Sequence, residues 1–597
     1  MVKDNQLQAT SKHIKLLQDK TPGKIASPDS IQEPDYSVAL LELRKSMPPK
    51  TYCDRLIDIY IQQFERTMRV LHFPSFKRQY DQIWANTNPE LCTSSFIIPQ
   101  VTAVMTMAYH MDDASQINQD QTHRAYLKRA AIDLVQAWLD ELGRKQRTEL
   151  PTLQVEILVL LSKSLRGSLT PERLWSSTGA LIRSGMVMGL HTDPTSVPNM
   201  SPFHTEMRRR IWATMLEMDV QASMFAGMPL VGPELDPASL APSNIDDMDF
   251  NESSASLPPS KPLNTYTDNL YQVILASSLP QRLKALSLVQ RSAPNVEEAI
   301  DLGRKLEEYI IKRSEIMSLT NNNSNVPQDG GSLLHRILLD LYLRRPLLCL
   351  YKPLLLDPHI DPTMHTEIRR HCLLSSQAIL SYQDLYTIPA LAAITESPWA
   401  HQNFFYRCCK TDVLWAALTL CQHIKLLHST TGHSDVALIQ TVENTVACLI
   451  ERVGQKGSDL KDILFLALAL RSVQLPEHML GRELALQQAV RKTMAACRER
   501  LMEPVFGDDE DRTQRSHTQA QLGKRSKTST VEVTPMTSTA TSETMGNSLP
   551  AMDFLPEVGF DETADFSDMA GLTGVYDTGD AFDFGMQQDW NWDYMWQ

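Results

Sequence analysis

The sequence predicts an all-α protein: one large multi-helix body, with a disordered leader before it and a linker and tail after it. Three observations carry that reading. Apolar residues recur at steps of three and four over most of residues 50–502. No convincing series of alternating apolar and polar residues marks a strand, and no internal repeat of fixed period is present. Capping residues, glycines and prolines stand where the periodic runs begin and end.

Residues 1–49 are polar, carry Lys3, Lys12, Lys15, Lys20 and Lys24, and are interrupted by Pro22, Pro28 and Pro34, so they read as a disordered leader. From Thr51 the pattern changes: Leu56, Ile59, Tyr60, Gln63, Phe64, Thr67 and Met68 fall close to one helical stripe, which Pro74 breaks. Further helices are expected over 153–165 and 172–189. The clearest is Glu206–Ala226, where Met207, Ile211, Met215, Met218, Ala222 and Phe225 step by 4, 4, 3, 4 and 3 and so share one face. Ser201–Pro202 offers a cap and a first-turn proline, and Gly227 and Pro229 end the run. Residues 251–262 and 321–331 have loop composition. Helices are then expected over 332–345, 402–427, 438–454, 460–472 and 482–502, closing a helical body that spans 50–502. A Ser/Thr-rich linker follows over 503–550.

Charge is distributed unevenly. The chain has 57 Lys+Arg against 71 Asp+Glu, a net −14, and eleven of those negative charges lie in residues 551–597, which hold no Lys or Arg. That balance argues against coating nucleic acid by bulk charge. Set among the acids of this segment are Phe554, Phe560, Phe566, Tyr576, Phe582, Phe584, Trp590, Trp592, Tyr594 and Trp596. Acidic residues keep such aromatics in water and free to dock into apolar grooves of a partner, as an activation segment that recruits coactivators would. An inert solvating tail would be poor in aromatics. No apolar run approaches the roughly 18–20 residues that span a bilayer, so no membrane role is expected.

The residues point away from catalysis and metal chemistry. The nine cysteines (53, 92, 349, 372, 408, 409, 421, 448 and 497) include no C-x2-C pair and read as small buried apolar groups. No nucleophile elbow, phosphate-cradling loop or dinucleotide fingerprint is present. Gly179 and Gly189 read as close helix approach and helix termination. His191 and Asp193 lack a third partner for acid–base or metal work and read as capping and loop contacts. Arg208, Arg209 and Arg210 offer phosphate contacts or, preferably, ion pairs within the body. Lys524, Arg525 and Lys527 form a weak basic cluster that reads equally as a nuclear import signal or as a solvated charge run.

Four stretches resemble the fungal-specific transcription factor domain, the middle homology region of fungal zinc-cluster regulators. They are YIQQFERTMRVLHFPSFKRQY (Tyr60–Tyr80), LWSSTGALIRSGMVMGLHTDP (Leu174–Pro194), EMRRRIWATMLEMDVQASMFAGMPLVGP (Glu206–Pro233) with Asp246–Asp247 after Asn244, and LRRPLLCLYKPLL (Leu343–Leu355). The signature residues the resemblance marks are Trp175, Gly179, Gly189, His191, Asp193, Arg208, Arg209, Arg210, Trp212, Asp219, Gly227 and Pro229. It implies an all-helical regulatory body, a nuclear location, and transcriptional regulation, with regulators of secondary-metabolite gene clusters as the nearest kind. The family's six-cysteine zinc cluster is expected to be absent, because the first cysteine is Cys53, already in the helical body. Zinc is therefore expected only if such a cluster lies upstream, no other cofactor is expected, and DNA would be reached through that missing module or one supplied by a partner. Homodimer and heterodimer both stay open. The alternative is a helical small-molecule sensor or an enzyme with no DNA function.

Overall fold

The computed structural model describes residues 38–85, 96–112, 117–197, 199–232, 241–291, 295–316, 330–357, 359–385, 398–431, 435–454, 459–476 and 479–502. The aromatic residues of the 551–597 tail, the 503–550 linker and most of the leader lie outside these. Among the described residues every regular element is helical, as the periodicity predicts.

The described residues up to Leu475 belong to one compact unit. Its helices are α1 (Val38–Lys45), α2 (Lys50–Tyr60, continued by a π turn at Ile61–Glu65), α3 (Phe73–Ala85), α4 (Ile97–Ala108), α5 (Ile117–Arg129), α6 (Ala131–Glu141), α7 (Leu150–Leu165), α8 (Pro171–Val187) and α9 (Pro202–Ala226). After a long loop come α10 (Leu270–Ser277), α11 (Leu279–Val289), α12 (Val296–Ile316), α13 (Gly330–Leu356), α14 (Pro362–Leu385), α15 (Pro398–Thr431), α16 (Val436–Glu451) and α17 (Leu460–Gln474). A second unit contains α18 (Arg482–Met502).

Two helices act as hubs of the first unit, for different sequence reasons. All twelve residues of α4 are buried, as a sequence apolar on every side save for Gln100, Thr102 and Thr106 demands, and α2, α6 and α7 pack around it. The second hub, α13, is enclosed by α11, α12, α14 and α15. It also corrects an expected boundary. The sequence predicts an end at 345, before Pro346, yet the helix runs through Pro346 and Pro353 to Leu356. An interior proline costs about 3 kcal/mol. Against that, Leu347, Leu348, Leu350 and Leu354 are all nearly fully buried, and each such side chain contributes about 1.5–3 kcal/mol. Packing wins over local propensity.

Two further differences have equally plain causes. Residues 38–45, read as part of the leader, form α1 because Ala39 and Leu43, one turn apart, are buried where α1 packs on α6. Helix α9 begins and ends where its sequence signals stand: the Ser201 Oγ accepts the His204 N–H at 3.3 Å, and Gly227 takes the left-handed conformation with φ 63°. But α9 is not buried on one face alone. Glu206, Arg210, Glu217, Asp219 and Gln221 are buried as well, and their partners define the site described next.

Candidate functional site

The signature residues brace the α8–α9 hairpin. Gly185 lets the helices approach, since a Cβ there would lie 2.6 Å from Met215 Cε and 3.2 Å from Trp212. Gly189 closes α8 in the left-handed conformation, its φ being 73°. The Arg208 guanidinium donates to the Met188 carbonyl at 2.5 Å and so caps the same helix end. Arg209 pairs with Asp193 at 3.7 Å, and Asp193 in turn accepts the Thr195 N–H at 3.0 Å to start a short 3-10 turn. His191 leans on the Trp212 ring, 6.4 Å between centroids. At the other end, Trp175 Nε1 donates to the Pro229 carbonyl at 2.7 Å, and one Asp219 oxygen accepts the Val231 and Gly232 N–H groups, both at 2.9 Å. A Cβ on Gly179 would press on Val231 at 3.2 Å. These residues fix a hairpin and the segment following it; they converge on no reactive centre.

A buried charge cluster ties two of the four stretches together. Arg69 lies in the loop before α3, Arg210 on α9, and Asp247 on the loop before α10. Asp247 Oδ1 accepts from Arg210 Nη1 at 2.5 Å and also pairs with Arg69 Nη2. Its other oxygen accepts the Phe73 N–H at 3.1 Å, and its carbonyl meets His72 Nε2 at 2.9 Å. Arg210 also pairs with Glu206 at 2.9 Å. Glu65 accepts from the Tyr60 hydroxyl at 2.7 Å and from the Val70 and Leu71 N–H groups at 2.8 Å, with Arg69 4.0 Å away. Burial alone would raise the Asp247 pKa, but Arg69 and Arg210 outweigh it and hold the carboxyl below the usual carboxylate range. Burial lowers the His72 pKa, keeping its ring neutral.

Three acids thus face two guanidinium groups, and Glu65 absorbs the imbalance. Burial pushes its carboxyl from an ordinary 4.5 up to about 7, against the opposing pull of Arg69 and its three hydrogen bonds. A raised folded pKa means the folded chain holds this proton more tightly than the unfolded chain. The stability it supplies is complete below about pH 4.5 and is lost as pH rises through about 7. A Glu65→Gln variant, which does not titrate, is therefore expected to gain stability relative to wild type between pH 5 and pH 8 in urea unfolding; a constant difference between the two would contradict this.

Beside the cluster lies a cavity of about 1000 Å³. Its apolar wall includes Phe64, Met107, Leu160, Leu174, Met218 and Phe225, drawn from the π turn, α4, α7, α8 and α9. Its polar end comes from α13, α15 and the start of α17, and includes Tyr342, Arg345, Lys410, Asp459, Lys461 and Asp462. Arg345 and Lys410 each have a counter-charge. Arg345 Nε and Nη2 donate to the two Asp412 oxygens at 2.7 and 2.6 Å, its Nη1 to Gln221 Oε1 at 2.6 Å, and its plane lies over the Phe225 and Tyr342 rings. Lys410 pairs with Asp462 at 2.7 Å and Asp459 at 3.2 Å.

Zinc, which the family resemblance brings to mind, does not fit the residues present. The described cysteines are buried or half-buried, and burial pushes the Cys53, Cys372 and Cys421 thiols up to about 12, the reverse of what a thiolate ligand needs. Among the described residues no three His, Cys, Asp or Glu side chains come together as a metal set. No described helix is long and apolar enough to cross a membrane.

Sequence reasoning missed Glu65, Arg69, Glu206 and the Arg345–Asp412 pair as functional groups of the interior. A signal for Arg69 and its partner Asp247 was present. Arg69 sits in the Tyr60–Tyr80 stretch, and Asp247 closes the stretch after Asn244. A lone arginine in an apolar run and a lone acid in a loop become legible as a pair only once they are placed together across 178 residues.

Residues 57–287 match the family described as the fungal specific transcription factor domain. The transcription factor opdR of Penicillium oxalicum is 32% identical over 359 residues, 58% of this chain and 44% of its own length. The Zn(2)-C6 fungal-type transcription factor mpsB of Macrophomina phaseolina is 24% identical over 360 residues, 57% of this chain and 46% of its own. The Fusarisetin A cluster transcription factor fsa6 of a Fusarium species is 25% identical over 359 residues, 58% of this chain and 46% of its own. The chain spans about half the length of these curated relatives. No solved structure matches it. The matched family and these relatives are regulators of transcription, not enzymes. The matched range holds the α8–α9 hairpin, Arg69, Arg210 and Asp247, so the cluster that joins the sequence motifs is the interior of the matched domain. Residues 57–287 of this chain are a fungal specific transcription factor domain.

Proposed function

We propose that the chain is a nuclear transcriptional regulator that activates genes through its acidic-aromatic segment, 551–597, and serves a secondary-metabolite gene cluster. The observation that carries this reading is the joining of a fungal transcription factor domain to a segment with eleven acids, ten aromatics and no basic residue. The name of fsa6, a cluster transcription factor, supports the choice of target class. The basic cluster at Lys524, Arg525 and Lys527 supports nuclear import. In this reading the aromatics, Trp590, Trp592 and Trp596 above all, dock transiently into apolar grooves of a coactivator while the acids keep them hydrated until contact. DNA is read by a six-cysteine zinc module, of the kind named for mpsB, supplied by a partner chain or by sequence beyond these 597 residues.

The full chain, tethered to an unrelated DNA-binding domain, is expected to activate a reporter. Replacing Trp590, Trp592 and Trp596 together with Ala is expected to lower that output several-fold at equal protein level. A silent wild-type fusion, or unchanged output from the triple variant, would remove the role assigned to the segment.

A further inference from the structure

We infer that the cavity is a binding site for a small, uncharged, largely apolar metabolite that carries one hydrogen-bond-accepting group. Its volume of about 1000 Å³ stands at the upper end of the range that takes drug-sized ligands. Most of its wall is aliphatic or aromatic, with the uncharged polar side chains of Thr67, Ser164, Thr170 and Thr178 set among it. At the other end Arg345 is neutralised by Asp412 and Lys410 by Asp459 and Asp462, and Lys461 acts electrostatically on Asp462. A net charge on the ligand would find no free counter-ion among them and would lose its hydration. What the polar end offers instead is Tyr342. It lines the cavity beneath the Arg345 plane, and its hydroxyl makes no hydrogen bond to a described residue. Burial raises the Tyr342 pKa, so the hydroxyl keeps its proton and can donate it to an acceptor.

Position gives this site a consequence. Phe64, Met107, Leu160, Leu174, Met218 and Phe225 belong to the transcription factor domain, whereas Tyr342, Arg345, Lys410 and Asp462 come from helices beyond residue 287. A ligand seated here touches both halves of the first unit at once and favours whichever arrangement closes the cavity around it. That consequence for gene control rests on the regulator reading above; the binding itself does not.

The test uses the purified full chain and two neutral dyes: Nile red, which has a carbonyl acceptor, and 1,6-diphenylhexatriene, which has none. Nile red is expected to bind saturably at one site per chain. Ala222→Phe fills the cavity from its α9 wall and Leu174→Trp from its α8 wall; each variant that retains the wild-type helical circular dichroism is expected to lose at least about tenfold in dye affinity. Tyr342→Phe is expected to weaken Nile red about fivefold, the worth of one hydrogen bond, while leaving diphenylhexatriene unchanged. Non-saturating dye uptake, or undiminished affinity in the folded Leu174→Trp variant, would overturn the site. Equal losses of both dyes in Tyr342→Phe would overturn the role given to the hydroxyl. Because none of these readouts involves a reporter, saturable binding by a chain that fails to activate would count against the regulator reading alone.

Discussion

Replacing Asp247 with Ala is expected to cost about 3–5 kcal/mol of stability, the usual loss when one partner of a buried ion pair is removed. Arg210 and Arg69 are 0% and 3% exposed, and Asp247 neutralises both. Without it two guanidinium groups stay buried. Glu206 remains for Arg210, and Glu65 stands 4.0 Å from Arg69 but holds a proton near neutral pH. The Phe73 N–H at the start of α3 loses its acceptor as well. Asp247→Asn keeps an oxygen for that N–H but no charge, so its loss should be smaller while remaining above that of an exposed control such as Asp301→Asn. Urea unfolding followed by circular dichroism checks this. A loss below about 1 kcal/mol for Asp247→Ala would mean the cluster is not a structural tie.

The fold class and the helix positions were legible in the sequence because they depend on local pattern. The α9 stripe from Met207 to Phe225, its Ser201 cap and its Gly227 stop are all within a few residues of what they control. The run of α13 through Pro346 was not legible, because it is decided by burial against four other helices rather than by the residues beside the proline. The site divides in the same way. Gly179, Gly189, Asp193 and Arg208 act on neighbours within the hairpin or on its ends, and their role as brackets follows from spacing. Arg69, Asp247 and Asp412 act on partners 37 to 178 residues away. Nothing in a single sequence states which distant charge will meet which. The cavity is less legible still, since its walls are ordinary leucines, methionines and phenylalanines that pattern alone assigns to a filled core.

Asp412→Ala is expected to match the Asp247 change in size, and a second substitution separates charge from packing. Arg345 is buried over two aromatic rings, and its bidentate bond to Asp412 is the only contact that supplies a full opposite charge among those described for it. Burial disfavours the guanidinium charge, but Asp412 more than offsets that and raises the Arg345 pKa. Removing Asp412 leaves Gln221 and the Cys408 carbonyl as neutral acceptors, so a loss of about 3–5 kcal/mol is expected. The pair also belongs to a longer chain of contacts: Gln221 donates to Glu217 at 2.6 Å, and Glu217 pairs with Arg282 at 2.8 Å, so α15, α13, α9 and α11 are linked in turn. If charge balance governs the Asp412→Ala loss, the double variant Arg345→Met/Asp412→Leu should recover most of it, because apolar residues of similar volume often replace a buried ion pair at little cost. If instead the hydrogen-bonded chain through Gln221 governs stability here, the double variant will be at least as unstable as the single one, since it also removes the guanidinium that donates to Gln221. Thermal unfolding of wild type, Asp412→Ala and the double variant distinguishes the two causes. Recovery by the double variant is the expected result, and it would place the strongest constraint on the cavity wall in the charge itself.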